Sequence, residues 1–327
     1  MKVYLFFAAL FLAGCAPSKG TGKKASAIAD GRIYTNLLMT GRTDSLYALL
    51  SPKFQAAVKG KDGFEKIARQ FSAELGKETG VETEAAYQEA GFTSYYRISR
   101  FEKMPSATAR WVWKQGEIQG FTVTATPQPA PSNYLDYKTR TALQLPFTDS
   151  WYVAWGGRNV YQNKHAAAVD QRFAYDFVGT KGADLSTPNP TKNEDYYGFG
   201  RPVFAPAAGR VIVVIDSVPD NTPGVVNAKS PAGNHIVIDH GNMEYSLLAH
   251  FKKGTVVVKE GDVVKQGDLL GQCGNSGQSF LPHLHYHLQT GRKYGEGEGL
   301  PVRFQNYRSD GKKVKVGEPV RGEVLTK

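Results

Sequence analysis

Residues 276–290 read SGQSFLPHLHYHLQT, and the alternation inside them decides how the C-terminal half folds. His283, His285 and His287 alternate with Leu284, Tyr286 and Leu288, in a chain of 327 residues that has seven histidines in all. A strand turns successive side chains to opposite faces, so the imidazoles share one side and the apolar side chains the other. One face is built as core. The other is either the polar outer face of a half-buried strand or a site, and three imidazoles in register favour a metal or catalytic site.

Around this stretch, nearly every feature from about residue 143 onward is a short strand closed by a Gly or Pro turn. RPVFAPAAGRVIVVID (201–216), NHIVIDHGNMEYSLLAHF (234–251) and GTVVVKEGDVVKQGDLLGQCGNSG (254–277) all follow this pattern. It predicts a mainly antiparallel β domain, with HIVID and MEYSLLAHF as the arms of a hairpin around HGN. Gly261-Asp262 and Gly267-Asp268 read as turn chemistry alone. Residues 28 to about 76 instead show helical spacing, broken at Ser51-Pro52 and Gly60–Gly63. FTSYYRISRF, TARWVWKQ and EIQGFTVTAT, between 92 and 126, read as three strands. The fold class expected is therefore an α+β N-terminal domain over 28–125, followed by a mainly antiparallel β domain over 143–295. Pro127, Pro129 and Pro131 place a stiff linker at 126–142, and 296–327 reads as a basic C-terminal extension.

The N-terminus, MKVYLFFAALFLAGCAPSKG, has one lysine, an apolar run too short to span a bilayer, and then small residues, as a signal peptide does. Leu12-Ala13-Gly14-Cys15 resembles a bacterial lipobox. The Lys, Gly and Ser residues from 18 on make 15–27 read as a tether, and the resemblance implies a lipoprotein signal peptide over 1–14 with lipidation of Cys15. It implies an exported chain held to the membrane by lipid, and in a two-membrane cell the outer membrane facing the periplasm, because Ala16 stands where a retention signal would place Asp. Cys273 is the only other cysteine, so a lipidated Cys15 leaves no pair for an intramolecular disulfide. The formal net charge of +10 in an exported chain favours anionic envelope surfaces over nucleic acid as a partner, or else marks a soluble surface that happens to be basic.

FAPAAGRVIVV, NHIVIDHGNMEYSLLAHF, VVKQGDLLGQCGNSG and PHLHYHL, in that order, resemble the lysostaphin-like or LytM-like zinc metallopeptidases of family M23. The resemblance extends over about 145–295 and takes in the loop WGGRNVYQNKHAAAVDQRFAYDFVG. It implies one zinc ion held by His165, an Asp and His285, with His250 and His283 acting in catalysis. For the Asp, Asp176 in FAYDFV is favoured and Asp170 in VDQR is the alternative. Two imidazoles and one carboxylate fill three of four tetrahedral positions and leave one for water, whose pKa zinc lowers from ~15.7 toward ~7. His250 and His283 would then move protons or stabilise the oxyanion. Tyr161 is a candidate oxyanion donor or a loop-packing residue, and His287 either supports the metal site or sits at a solvated rim. His235 and His240 read as structural, and Cys273 as a small buried residue. By the same resemblance the function expected is endopeptidase cleavage of peptidoglycan stem or cross-bridge peptides. The alternative is a non-catalytic activator of another wall hydrolase. The helices and strands ahead of the linker resemble the small NTF2-like or cystatin-like domains of envelope enzymes.

Overall fold

The computed structural model describes residues 21–89, 91–182 and 184–327. The signal peptide, Cys15 and the first part of the tether lie outside the described residues. The chain divides at Pro127 and Gln128 into two compact units.

The first unit packs four helices, α1 (Thr21–Met39), α2 (Thr43–Tyr47), α3 (Pro52–Ala57) and α4 (Gly60–Leu75), with a four-stranded antiparallel sheet. The strands are β1 (Glu78–Glu89), β2 (Phe92–Phe101), β3 (Ala107–Lys114) and β4 (Glu117–Ala125), in sequential order. Helix α3 starts where Ser51 and Pro52 direct it. The Ser51 hydroxyl accepts from Phe54 N at 3.3 Å, and Pro52 gives up an N–H that would lack a helical partner. Helix α4 buries Phe64, Ala68, Phe71 and Leu75, one stripe at helical spacing. Trp111 stacks on Phe121 with ring centroids 4.7 Å apart, and its indole N–H donates to Thr35 Oγ1 at 3.0 Å. Two expectations change. The sheet has four strands, because β1, with its many Glu and Thr residues, carries little apolar alternation and gains its order by pairing with β2. Helix α1 begins inside the stretch that composition marked as tether, and its buried residues Ala27, Tyr34, Leu37 and Leu38 join the core.

The second unit holds the strands β5 (Trp151–Trp155), β6 (Tyr175–Gly179), β7 (Pro202–Phe204), β8 (Gly209–Ile215), β9 (Asn234–Asp239), β10 (Tyr245–Phe251), β11 (Val263–Val264), β12 (Leu269–Gln272), β13 (Leu284–Gln289), β14 (Gly299–Leu300), β15 (Phe304–Ser309), β16 (Lys312–Gly317) and β17 (Val324–Thr326). Eleven of these form one sheet in the order β11-β8-β9-β10-β13-β6-β5-β17-β15-β16, with β14 on β13, while β12 pairs β7. The pairings are antiparallel throughout, as expected. One face carries the main core, including Phe177, Ile236, Ile238, Leu248, Leu284, Tyr286 and Leu288. On the other face of the central strands, Val237, Leu247 and Ala249 form a smaller cluster, and Leu247 and Ala249 stand directly across from His287 and His285.

The segments on either side of the expected domain are built into this unit. Glu244, fully buried, accepts from Tyr137 Oη at 2.8 Å, Arg140 N at 2.7 Å, Thr141 N at 2.8 Å and the Thr141 hydroxyl, so residues 137–141 are fastened down where a linker was expected. Residues 304–326 supply β15–β17, and β17 closes on β5. The exposed Lys312, Lys313 and Lys315 lie on β16 at the sheet edge, where charge discourages pairing with another chain.

Candidate metal centre

His285 and Asp176 are 109 residues apart and directly paired across β13 and β6, so their side chains leave the sheet side by side on one face. Asp176 is framed by Tyr175 and Phe177, both buried in the core on the opposite face. His165 arrives from a loop organised by Asn163. This fully buried side chain accepts from His165 N at 3.0 Å and donates to Gly157 O and Ala174 O, each at 3.0 Å, which ties the His165 turn to the start of β6.

The three side chains converge. His165 Nε2 lies 3.0 Å and His285 Nδ1 2.9 Å from Asp176 Oδ1, and all three ligand atoms fall within 4.8 Å of one another. Bonds of ~2.0–2.1 Å to a tetrahedral zinc give donor–donor edges of ~3.3 Å, so the two edges that meet at Asp176 Oδ1 fit one ion after an opening of a few tenths of an ångström. Among the described residues, this His/Asp/His group is able to coordinate a metal ion. Asp170 is not in this group: its carboxylate accepts from Gln171 Nε2 at 3.3 Å and acts electrostatically on His287.

His283 and His250 flank the group. His283 Nε2 is 3.6 Å from Asp176 Oδ1, and the His250 and His283 ring centroids are 4.6 Å apart. His283 Nδ1 donates to Leu281 O at 2.9 Å, with Ser279 Oγ 3.0 Å away, and His250 Nδ1 donates to Ser276 O at 2.7 Å. A carbonyl only accepts, so in each neutral ring the proton sits on Nδ1 and Nε2 keeps its lone pair.

His250 owes its position to a bulge. The β10–β9 register skips it between Ala249 and Phe251, and its φ of 67° is one that L side chains rarely adopt. Strict alternation would have put His250 beside Leu248 in the core; the extra residue returns Phe251 to the core instead.

Burial lowers the basicity of His250, His283, His285 and His287. It pushes His285 down to about 3 against the pull of Asp176, and His287 down to about 4 against its bond to Gln289. His250 and His283 are also lowered, first by burial; for His250 the neighbouring His283 and His285 add to it, and for His283 Asp176 opposes it. All four are neutral at pH 7. Burial alone would raise the Asp176 carboxyl, but His165, Lys164 and His283 outweigh it and hold the group well below the ordinary carboxylate range.

Three contributors carry no clear mark of their role in the sequence pattern. Lys164 Nζ lies 2.8 Å from Asp176 Oδ2 and caps the oxygen that His165 and His285 do not face. Gln289 ends a chain that begins at His285, and His287, with its 1% exposure, is a buried link in that chain and not a rim residue. Asn163 is the most legible of the three, since Asn is a preferred residue for capping the start of a helical turn. The Tyr161 hydroxyl accepts from Asn159 Nδ2 at 3.0 Å, a bond that leaves its own proton uncommitted. His235 Nδ1 meets Gly233 O at 2.8 Å, and His240 spans Ala208 O and Ser246 Oγ, each at 2.7 Å, so both are held within the fold. Cys273 is buried, and burial raises its thiol far above the usual range.

An antiparallel β unit that gathers two imidazoles and a carboxylate, with two more imidazoles beside them, is a metallopeptidase-like scaffold. Comparison with known proteins agrees: a model of peptidase family M23 matches residues 192–296, a span that includes His250, His283 and His285. The lipoprotein NlpD of Yersinia enterocolitica is 32% identical over 105 residues, covering 32% of this chain and 94% of that one. The chain belongs to peptidase family M23. An uncharacterized metalloprotease of Buchnera aphidicola is 34% identical over 120 residues, covering 36% of this chain and 29% of that protein. Peptidoglycan DD-endopeptidase ShyA of Vibrio cholerae is 44% identical over 57 residues, 17% of this chain and 13% of that one. The chain thus spans under a third of the length of these last two relatives.

Proposed function

We propose that the protein is a zinc-dependent endopeptidase that hydrolyses peptide bonds in peptidoglycan stem or cross-bridge peptides. The observation that carries this reading is the juxtaposition of the His165, Asp176 and His285 ligand atoms with two imidazoles, His250 and His283, whose Nδ1 protons are committed to carbonyls. The peptidoglycan substrate is supported by the names of relatives in Vibrio cholerae, among them ShyA and ShyB.

His165 Nε2, Asp176 Oδ1 and His285 Nδ1 would hold the ion, and Lys164 would hold Asp176 Oδ2 and so orient the carboxylate. Bound zinc supplies Lewis acidity, which acidifies water and polarises the scissile carbonyl. His283 and His250, neutral at pH 7, accept the water proton at Nε2 and return it to the leaving amine; whichever ring is protonated at that moment donates to the oxyanion. Tyr161 is assigned as a further donor to that oxyanion.

The same reading carries an exported lipoprotein, with residues 1–14 removed and Cys15 lipidated, facing the periplasm from the outer membrane in a two-membrane cell. Lipobox-like Leu12–Cys15 supports it, and a Cys15→Ala chain that still partitions with membranes after a high-salt wash would refute it. The amino-terminal unit is proposed as an NTF2-like or cystatin-like spacer or partner-binding module. A proteolytic fragment that begins near residue 128 and is stably folded but hydrolytically dead would overturn the spacer role.

The decisive test combines metal analysis of the purified protein with mass spectrometry of isolated sacculi after incubation. Stoichiometric zinc and newly cleaved peptide bonds, both lost on chelation and regained with zinc, are expected. Zinc uptake with no cleavage in any wall preparation would transfer the reading to an activator of another hydrolase.

A further inference from the structure

His285 can offer Nδ1 to a metal only if its proton sits on Nε2, whereas the Asp176 carboxylate, 2.9 Å from Nδ1, draws the proton the other way when no ion lies between them. The choice is made farther along β13. Gln289, fully buried, donates through Nε2 to two carbonyls, Gly291 O and Lys293 O, each at 2.9 Å. Carbonyls only accept, so the amide has one orientation, and a flip would point Oε1 at two other oxygens. Gln289 Oε1 therefore faces His287 Nε2, 2.7 Å away, and can only accept from it. The His287 proton must then lie on Nε2, which leaves Nδ1 as a lone-pair acceptor 2.9 Å from His285 Nε2.

From this chain we infer that Gln289 and His287 are positioning residues that set the tautomer of His285, so that its Nδ1 lone pair is turned toward Asp176 and His165. Two backbone carbonyls beyond the end of β13 thereby decide which nitrogen of a residue several positions away is free to bind an ion. The relay occupies alternate positions of a single strand face, so it needs no further element to build it. It also explains why the third imidazole of the 283–287 row is buried: a solvated His287 would exchange its partner for water and lose the directed proton. The inference rests on the reading of His285 as a metal ligand through Nδ1. Outer partners of this kind typically change metal affinity by ~10–100-fold when removed.

The test uses a pair of substitutions that both replace the ring with a shorter side chain forked at Cγ and that differ in one acceptor. In His287→Asn, Oδ1 stands two bonds from Cβ, as Nδ1 does, and still accepts from His285; in His287→Leu nothing does. Zinc affinity of the full chain, measured by competition with a chromophoric chelator, should weaken by ~10–100-fold in His287→Leu and by no more than about threefold in His287→Asn. Equal weakening in both would assign the effect to loss of the ring itself and overturn the relay. No change in either would also overturn it, while leaving the ligand reading intact. If the unmodified chain took up no zinc, the ligand reading would fall and the relay with it. Should both variants fail to fold, long-range proton–nitrogen correlation NMR of the unmodified zinc-loaded protein decides the matter. Protons on Nε2 of both His285 and His287 are expected, and a proton on Nδ1 of His287 would sink the inference.

Discussion

Replacing Asp176 by Asn tests the proposed centre at its hub. The carboxylate is 3% exposed, its Oδ1 lies 3.0 Å from His165 and 2.9 Å from His285, and its Oδ2 lies 2.8 Å from Lys164. Asn preserves the shape and one oxygen, so β6 should still pair with β13, but the single negative charge among those neighbours is gone. Zinc binding by four-ligand sites is worth ~10–16 kcal/mol, or ~2.5–4 kcal/mol per ligand, so losing one charged ligand should raise the zinc Kd by ~10²–10³-fold. Asp170→Asn, which changes a carboxylate bonded to Gln171 outside the cluster, should stay within a few-fold of the unmodified protein. The assay is chelator competition on the full chain, with circular dichroism to confirm that both variants are folded. If the Asp176 variant holds zinc as tightly as the unmodified protein while the Asp170 variant loses it, the ligand assignment is wrong.

Other outcomes follow from the same structure. His283→Ala and His250→Ala should retain zinc yet lose ~10²–10⁴-fold in turnover on sacculi, the usual range for a proton-transfer group, and unchanged turnover in both would remove their assigned roles. Cys273, whose buried thiol is raised far above the ordinary range, should resist thiol reagents at pH 8 in the folded protein and react on unfolding; fast labelling of the native chain would contradict its placement. In the first unit, burial alone would raise the Glu84 carboxyl, but bonds from Arg32, Tyr95 and Arg97 bring it from 4.5 down to about 2. A depressed folded value stabilises above the unfolded one, so Glu84→Gln should lower the urea midpoint of that unit at pH 7, with the difference closing as the pH falls from 4.5 toward 2. A midpoint difference that grows with acid would show that sign to be wrong.

Much of the centre is legible in the amino-acid sequence, because it rests on short-range periodicity. The alternation of His283, His285 and His287 with Leu284, Tyr286 and Leu288 states a strand with an imidazole face, and β13 has its apolar side in the core as that spacing requires. The antiparallel class follows from Gly-punctuated strands too short and closely spaced for parallel crossovers. What sequence could not state are the facts that depend on which strands lie side by side. Only the antiparallel register of β6 on β13 brings Asp176 opposite His285, since a carboxylate in a run of apolar residues carries no sign of its distant partner. Only the bulge and the φ of 67° at His250 turn that side chain away from the core, where alternation alone would have sent it. The same holds at the ends: Pro127–Pro131 and the lysines of 312–315 look like linker and tail in one dimension, yet residues 137–141 close over Glu244 and β17 completes the sheet beside β5. Local pattern determined β13 and the strands around it that alternate regularly; pairing between residues more than a hundred positions apart decided which faces met, and therefore where a metal could be held.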